Sequence, residues 1–163
     1  MGKSVDKSVL ATTTLAVAAA AGTGGVASPK RLPAWYSRLR KPPYQPPSAA
    51  FPLVWTALYT DIAATSAVAI DRFRARGQHA EARRYAAALG VNLALNAGWS
   101  WLFFRYHKLG AAALGAAALT ASSADLARRA AQADGKAGAA LSAYPVWGAF
   151  ATVLATHIWR LNR

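Results

Sequence analysis

Three groups of aromatic and amide side chains have the spacing that places each group on one helix face. They are Phe51, Trp55 and Tyr59; Asn92, Asn96, Trp99 and Phe103; and Tyr144, Trp147, Ala151 and Leu154. Aromatic walls with a few fixed polar groups are the usual form of a small-molecule site, and a flat apolar ligand would stack on them. The same stripes also fit ordinary packing between helices, so both interpretations stay open for each stripe.

The sequence predicts no catalytic residue and no metal site. It contains no cysteine, and its three histidines, His79, His107 and His157, lack the spacing of metal ligands. No nucleophile–base pair, paired carboxylates or phosphate-binding glycine loop is present. His79 and His107 are predicted to lie in loops.

Two carboxylates lie within apolar segments. Asp61 falls near the middle of the second segment, about 200° around a helix from Tyr59. It is therefore predicted to point away from the aromatic stripe and to meet a neighbouring helix or a second subunit, or to be protonated. Asp125 is explained more simply, as a residue near a helix end that pairs with Arg128 and Arg129.

The elements that must position these residues are membrane-spanning helices. The chain has 163 residues, of which 55% are hydrophobic and only 15% charged, whereas a soluble domain has about 25% charged residues. A span needs about 20 mainly apolar residues. Five stretches qualify: 8–27, 48–70, 85–104, 109–127 and 141–159. The sequence thus predicts an all-α membrane protein, a single domain over 1–163.

The formal net charge of +13 does not indicate nucleic-acid binding, because the cations lie in short runs between the apolar segments, where lipid headgroups would meet them. Ten of the 19 Lys and Arg residues fall on one predicted side of the membrane and nine on the other. This distribution gives the positive-inside rule no basis for an orientation.

Two segments near the N-terminus have distinct interpretations. Residues 8–27 alone fit a retained first span and a cleaved secretory signal equally well. Residues 28–47 contain prolines 29, 33, 42, 43, 46 and 47. Because proline fixes φ and removes a backbone donor, this segment is predicted to be a stiff, non-helical lid between the first two spans. Its cations Arg38, Arg40 and Lys41 would face carboxylates of a ligand or lipid headgroups.

Three blocks of sequence resemble the TspO/MBR family, the translocator proteins also called peripheral-type benzodiazepine receptors. They are WYSRLRKPPYQPP with VWTALY (35–59), LALNAGWSWLFF (93–104) and WGAFATVLATHIWRLN (147–162). The resemblance implies a bundle of five transmembrane helices, a retained first helix and frequent homodimerisation. It also implies that the Pro-rich loop between helices 1 and 2 folds over a pocket that binds porphyrins.

The resemblance also implies which residues bind the ligand. Trp35 and Tyr36, with Pro46 and Pro47, match the loop motif. The helical pocket positions that it implies are Trp55, Tyr59, Asn92, Asn96, Trp99, Trp147, Phe150 and Ala151. Tyr144 is predicted to bind the ligand from its place on the aromatic face of the fifth helix, not from the resemblance. The fifth helix has Thr156 and His157 where the cholesterol motif of animal members needs tyrosine, so that mode of binding is not predicted.

The leading functional hypothesis is a membrane sensor, regulator or translocator of tetrapyrroles. Protoporphyrin IX or haem is the expected ligand, and no cofactor is required. Porphyrin, membrane lipid and a second copy of the chain are the expected partners, and nucleic acid is not. Two alternatives remain: enzymatic degradation of porphyrin in the same pocket, with Trp55 and Trp147 as redox partners, and transport or scaffolding. The expected location is a membrane of the bacterial cell envelope.

Overall fold

The structure, a computed structural model, describes residues 4–28 and 33–163. Its described part contains helices and no strand. The α-helices are α1 (Lys7–Ala27), α2 (Ala34–Arg38), α3 (Ala50–Ala75), α4 (His79–Ser100), α5 (Leu109–Ala133), α6 (Gly135–Leu141) and α7 (Ala143–Leu161). A π-helical turn, Trp101–Arg105, extends α4.

Five helical segments are long and apolar enough to cross a membrane. They are Lys7–Ala27, Ala50–Ala75, His79–Arg105, Leu109–Ala133 and Gly135–Leu161, which we call spans one to five. The predicted five-helix membrane bundle is therefore confirmed. Span one packs against spans two and three, and the Thr13 hydroxyl donates a 3.0 Å hydrogen bond to the Ala63 carbonyl.

Two aspartates outside the spans cap helices. The Asp6 carboxylate accepts a 2.8 Å hydrogen bond from the Ser8 backbone N–H at the start of α1. Hydrogen bonds from the Ser8 hydroxyl and backbone hold the pKa of Asp6 below its usual value. Asp134 accepts from the N–H groups of Lys136 and Ala137 at the start of α6. Such caps satisfy donors that a helix start leaves free.

Glycine allows the tightest approach between spans four and five. A Cβ at Gly148 would lie 2.7 Å from the Thr120 hydroxyl oxygen, and one at Gly138 would lie 2.5 Å from the Ala131 Cα. Both contacts are shorter than side chains permit. The fit of α6 and α7 against α5 therefore depends on these missing side chains.

Several boundaries differ from the sequence-based ones. Span three begins at His79, so this histidine is helical and the prediction of a loop was wrong there. Span five begins at Gly135 and is interrupted at Ser142, between α6 and α7. Pro145 explains the interruption, because it has no N–H to donate to the Leu141 carbonyl four residues earlier. Span four continues to Ala133.

The lid is also partly helical, contrary to the expectation of a fully extended segment. We call residues 33–49 the lid; residues 29–32 of the predicted segment lie outside the described part. The helix Ala34–Arg38 occupies the proline-free stretch between Pro33 and Pro42, and Pro33 is its N-cap. Proline at the edge of a helix removes only a donor that would have no partner there, so the prolines limit this helix instead of preventing it.

Candidate functional site: two aromatic clusters beneath the lid

The first half of the lid packs on the end of span three. Its ring contacts form the third-span cluster, whose members are Trp35, Tyr36, Trp99, Phe103 and Phe104. Trp99 stacks on Phe103 with 5.4 Å between ring centroids and 16° between planes. Tyr36 and Phe103 are buried. Burial raises the pKa of the Tyr36 hydroxyl, partly offset by a hydrogen bond from Gln45.

The π-helical turn shapes the surface that receives this half of the lid. Tyr106 N–H bonds to the Trp101 carbonyl at 2.9 Å, the wider spacing of a π-turn. His107 follows with φ of 53°, the left-handed region that non-glycine residues rarely adopt. Its ring centroid lies 3.9 Å from that of Trp35, so the lid covers the strained residue directly.

The second half of the lid is fastened to the end of span five by what we call the latch: Arg40, Tyr44, His157 and Asn162. The Arg40 N–H donates to Asn162 Oδ1 at 2.9 Å, and Asn162 Nδ2 donates to the Arg40 carbonyl at 2.8 Å. Tyr44 OH and His157 Nδ1 are 3.0 Å apart. The latch therefore joins main chain and side chains of the lid to one helix end.

Lys41 has a role within the lid that the sequence did not predict. Its ammonium group donates a 2.7 Å hydrogen bond to the Tyr36 carbonyl and lies 4.4 Å from the centroid of the Tyr36 ring. The expected pairing of this cation with ligand carboxylates or lipid headgroups would compete with both contacts.

The fifth-span cluster lies where the lid enters span two. It consists of Phe51, Trp55, Tyr144, Trp147 and Phe150. Trp147 is the link between the two helices, with ring centroids 6.0 Å from Phe51 and 5.3 Å from Phe150. The stripes predicted on spans two and five therefore do face each other. Tyr44 of the lid lies 6.4 Å from Phe150, so the cluster continues into the lid.

Below this cluster, the two predicted asparagines form a buried polar network with Tyr59, Tyr144, Ser122 and Ser123. The Tyr59 hydroxyl donates to Asn96 Oδ1, and Asn96 Nδ2 donates to the Tyr144 hydroxyl. That hydroxyl donates onward to Asn92 Oδ1, and Asn92 Nδ2 lies 3.1 Å from the hydroxyl oxygens of Ser122 and Ser123. Spans two to five are thus linked by one chain of hydrogen bonds.

The network confirms that both asparagines face the bundle interior, since Asn92 and Asn96 are 0% and 3% exposed. It also shows which partners the sequence reasoning missed. Ser122 and Ser123 were not singled out, although an amide in a bilayer must find a partner and adjacent serines are the nearest polar residues on span four. Ala151, also predicted in the site, is half-buried beside Phe150.

A cavity lies between spans two and five. It has a volume of about 380 Å³. Its lining residues are Val54, Leu58, Ala139, Ser142, Ala143, Val146, Trp147 and Phe150. We call it the groove. Of the predicted site residues, only Trp147 and Phe150 line it.

Four buried polar atoms have no hydrogen-bond partner within the described part of the chain: Gln45 Oε1, Asp61 Oδ2, Trp99 Nε1 and Trp147 Nε1. Asp61 is half-buried on span two, and its role stays a prediction. Asp125 pairs with Arg128 and Arg129, each at 2.6 Å, which confirms its expected partners. Unpaired buried polar atoms are rare in native proteins, and two of these four lie in the aromatic clusters.

Comparison with known proteins decides the family. The model of the TspO/MBR family matches residues 12–160, which covers both clusters, the network and most of the latch. The chain belongs to the TspO/MBR family. It is an integral membrane protein, as the family and the five apolar spans together indicate.

Three curated relatives support the assignment to this family. Protein CrtK of Rhodobacter capsulatus is 30% identical over 151 residues, which are 91% of this chain and 89% of the relative. A protein named tryptophan-rich sensory protein, from Cereibacter sphaeroides, is 30% identical over 158 residues, 97% and 94% of the two chains. The uncharacterised membrane protein YtaB of Bacillus subtilis is 29% identical over 128 residues, 78% and 80%.

Proposed function

We propose that this protein is a membrane sensor or regulator that binds a tetrapyrrole against the fifth-span cluster, under the lid. The observation that carries the proposal is the convergence of aromatic rings from three elements: Phe51 of span two contacts Trp147, and Tyr44 of the lid contacts Phe150 beside it on span five. Stacked rings suit a flat, largely apolar macrocycle. The ligand class is the one that the resemblance to the TspO/MBR family implies, and the name of the Cereibacter relative supports the sensory role.

The lid supports regulation by binding. It is attached at two separate places, the third-span cluster and the latch, and its prolines limit the conformations of the chain between them. A ligand that contacted Tyr44 or Phe150 would shift the second half of the lid without breaking the contacts of its first half with the third-span cluster. Such a segment can report ligand occupancy to a partner at the membrane surface.

Titration with protoporphyrin IX tests the proposal. Added porphyrin should quench the tryptophan fluorescence of the purified protein in detergent saturably. Trp147→Ala should weaken porphyrin binding by about tenfold or more, because a stacking surface and an N–H donor are lost. Trp101→Ala is the matched control, since Trp101 contacts Tyr106 outside both clusters. Equal affinity in the wild type and Trp147→Ala would remove the cluster from the site.

We also propose that the protein forms a homodimer through span three and lies in a bacterial envelope membrane. Val91 is 59% exposed, and nothing described lies within 4 Å of a Cβ added at Gly98 on the same helix. Close approach of a second helix needs such small residues. Gly98→Leu should convert dimers into monomers in light scattering with detergent correction, whereas Gly22→Leu, at another open glycine, should not.

A further inference from the structure

We propose that the lid face of this protein binds anionic phospholipid headgroups, and that this binding holds the lid closed. The lid face consists of the lid and the helix ends beside it. Its exposed cations are Arg38 and Arg40 of the lid, and Arg105, Lys108, Arg160 and Arg163 at the helix ends. The inference concerns the surface of the lid and does not depend on tetrapyrrole binding.

The acidic residues of the chain lie away from the lid face. Asp61 lies within span two, and the other five lie towards the opposite face, where α1, α4 and α6 begin: Asp6, Asp71, Glu81, Asp125 and Asp134. Cations of that face are paired, since Arg72 lies 3.4 Å from Asp134 and Asp125 holds two arginines at 2.6 Å. Among the described residues, none of the lid-face cations forms an ion pair.

At the latch, closure of the lid brings like charges together. The Arg40 main chain exchanges two hydrogen bonds with the Asn162 amide, at 2.8 and 2.9 Å. Arg160 lies just before Asn162 in the last turn of α7, and Arg163 follows it, with its guanidinium 5.9 Å from the centroid of the Trp159 ring. Cations held near one another repel, and dissolved salt screens this repulsion. The closed latch is therefore more stable when an anion lies beside these arginines.

The attachment of the lid to the end of span three has the same character. The ring centroid of Trp35 lies 3.9 Å from that of His107, and Lys108 follows this histidine directly. Arg105 is the last residue of the π-helical turn before it, and Arg38 lies one turn after Trp35 in the lid helix. Both attachments of the lid thus join a basic segment of the lid to a basic helix end.

Anionic phospholipid headgroups fit the lid-face cations in chemistry and in position. Guanidinium and ammonium groups form strong hydrogen bonds with phosphate oxygens, and the lid face lies at the ends of the apolar spans, where the headgroups of a bilayer lie. Phosphatidylcholine also carries a phosphate, but its choline cation cancels the charge, so only an anionic lipid lowers the repulsion. Lys41 needs no such partner, because its ammonium group already bonds to the Tyr36 carbonyl.

Hydrogen exchange of the Arg40 amide measures closure, because this amide donates to Asn162. Each rate is divided by that of the Tyr106 amide, which lies at the same membrane surface but bonds within span three, so the effect of surface pH on exchange cancels. In nanodiscs of equal parts phosphatidylcholine and phosphatidylglycerol, the Arg40 amide should exchange about fivefold or more slowly than in phosphatidylcholine alone. Equal exchange in the two lipids would overturn the proposal.

Removal of lid-face charge should remove the dependence on lipid. The double variant Arg38→Gln, Arg160→Gln has less repulsion, so its Arg40 amide should exchange more slowly than that of the wild type in phosphatidylcholine. Phosphatidylglycerol should then change this exchange by less than about twofold. The matched control is Arg74→Gln with Arg83→Gln, two exposed arginines towards the opposite face, which should keep the full lipid effect. Equal lipid effects in the two double variants would contradict a role for the lid face.

Salt should act in opposite directions in the two lipids. In phosphatidylcholine it screens the repulsion between the lid and the helix ends, so Arg40 exchange should slow as salt is added. In the mixed lipid it weakens the attraction between the cations and the headgroups, so exchange should become faster. The same direction in both lipids would mean that charge does not govern closure, which would overturn the proposal.

Lipid retained by the purified protein measures binding directly. Extracted in mild detergent from vesicles of the mixed lipid, the wild type and the opposite-face control should retain phosphatidylglycerol in excess over phosphatidylcholine by mass spectrometry. The variant Arg38→Gln, Arg160→Gln should retain less of it, and equal retention in all three proteins would overturn the binding surface. Tripolyphosphate is the soluble probe of the same chemistry. If it slows Arg40 exchange in phosphatidylcholine as much as phosphatidylglycerol does, the surface binds a soluble polyanion and the assignment to lipid is overturned.

Discussion

The two aromatic clusters under the lid differ in what surrounds their rings. In the third-span cluster, Phe103 is buried among Trp35, Tyr36, Trp99 and Phe104, with ring centroids 4.9–6.1 Å apart. In the fifth-span cluster, Trp147 contacts two rings and otherwise lines a cavity. Similar residue types thus have different surroundings: the rings of the first cluster pack against the lid, and those of the second border an open cavity.

The largest effect should come from a substitution within the third-span cluster. Phe103→Ala removes a side chain that is only 4% exposed and should lower the free energy of unfolding by about 3 kcal/mol, because the cavity is lined by rings that cannot all collapse. Denaturation in mixed detergent micelles, followed by circular dichroism, measures this. Protoporphyrin IX affinity should stay within about twofold; a larger affinity loss than that of Trp147→Ala would reverse the comparison.

The polar network beneath the fifth-span cluster should give the next effect. Asn96→Ala leaves the hydroxyls of Tyr59 and Tyr144 each without one partner and should cost about 2 kcal/mol. Tyr59→Phe removes only one bond and should cost about 0.6 kcal/mol, the average for hydrogen bonds between spans. The same denaturation assay compares them. Equal losses of unfolding free energy in the two variants would contradict the assignment of two hydrogen bonds to Asn96 and one to Tyr59.

The latch should give a smaller and more local effect. Asn162→Ala removes both bonds to the Arg40 main chain and should cost about 1 kcal/mol, while hydrogen exchange of the Arg40 amide accelerates. Asn162→Asp keeps the acceptor for that amide, so the Arg40 amide should exchange at an intermediate rate in this variant. Exchange at Tyr36, held by the third-span cluster, should not change; a common acceleration would show that the lid opens as one unit.

The smallest effect concerns α6, which borders the groove, and it depends on pH. Hydrogen bonds from the Ala137 and Lys136 N–H groups, with Arg72 nearby, hold the pKa of Asp134 below its usual value despite partial burial. A lowered folded pKa gives stability that is present above the unfolded pKa of about 3.9 and lost as pH falls through the folded value. Asp134→Ala should therefore cost about 1 kcal/mol at pH 7.

The pH dependence itself is read from the difference between wild type and variant. Other carboxylates titrate in both proteins, so only the Asp134 contribution survives subtraction. The difference in unfolding free energy should be constant between pH 5 and pH 7 and shrink towards pH 3. A difference that grows on acidification would mean that the carboxylate does not act as the cap of α6.

The sequence predicted the spans well because a bilayer demands long apolar helices, and it placed Asn92 and Asn96 inside because amides need partners there. It could not predict that the two amides would be hydrogen-bonded to shared neighbours inside the bundle. That outcome depends on side chains from four spans, Tyr59, Asn92, Ser123 and Tyr144 among them. The same stripe spacing fits an open pocket and a filled one.

Local irregularities were partly visible beforehand. Pro145 carries the signal for the break at Ser142, and Pro33 with Pro42 delimits the short lid helix. The π-turn before His107 has no comparable signal, since a single extra residue in a turn leaves no mark on hydropathy. The groove likewise has no sequence signal, because hydrophobic periodicity does not report how closely two helices pack.

The latch has a consequence for biosynthesis. Arg40 and Asn162 are separated by 122 residues, and Asn162 follows all five spans in chain order. A ribosome therefore delivers the lid to the membrane long before the residue that fastens it. During translation, the lid therefore cannot be fastened to Asn162 until the fifth span has been made. The two hydrogen bonds between Arg40 and Asn162 therefore form only in a chain whose five spans have all been made.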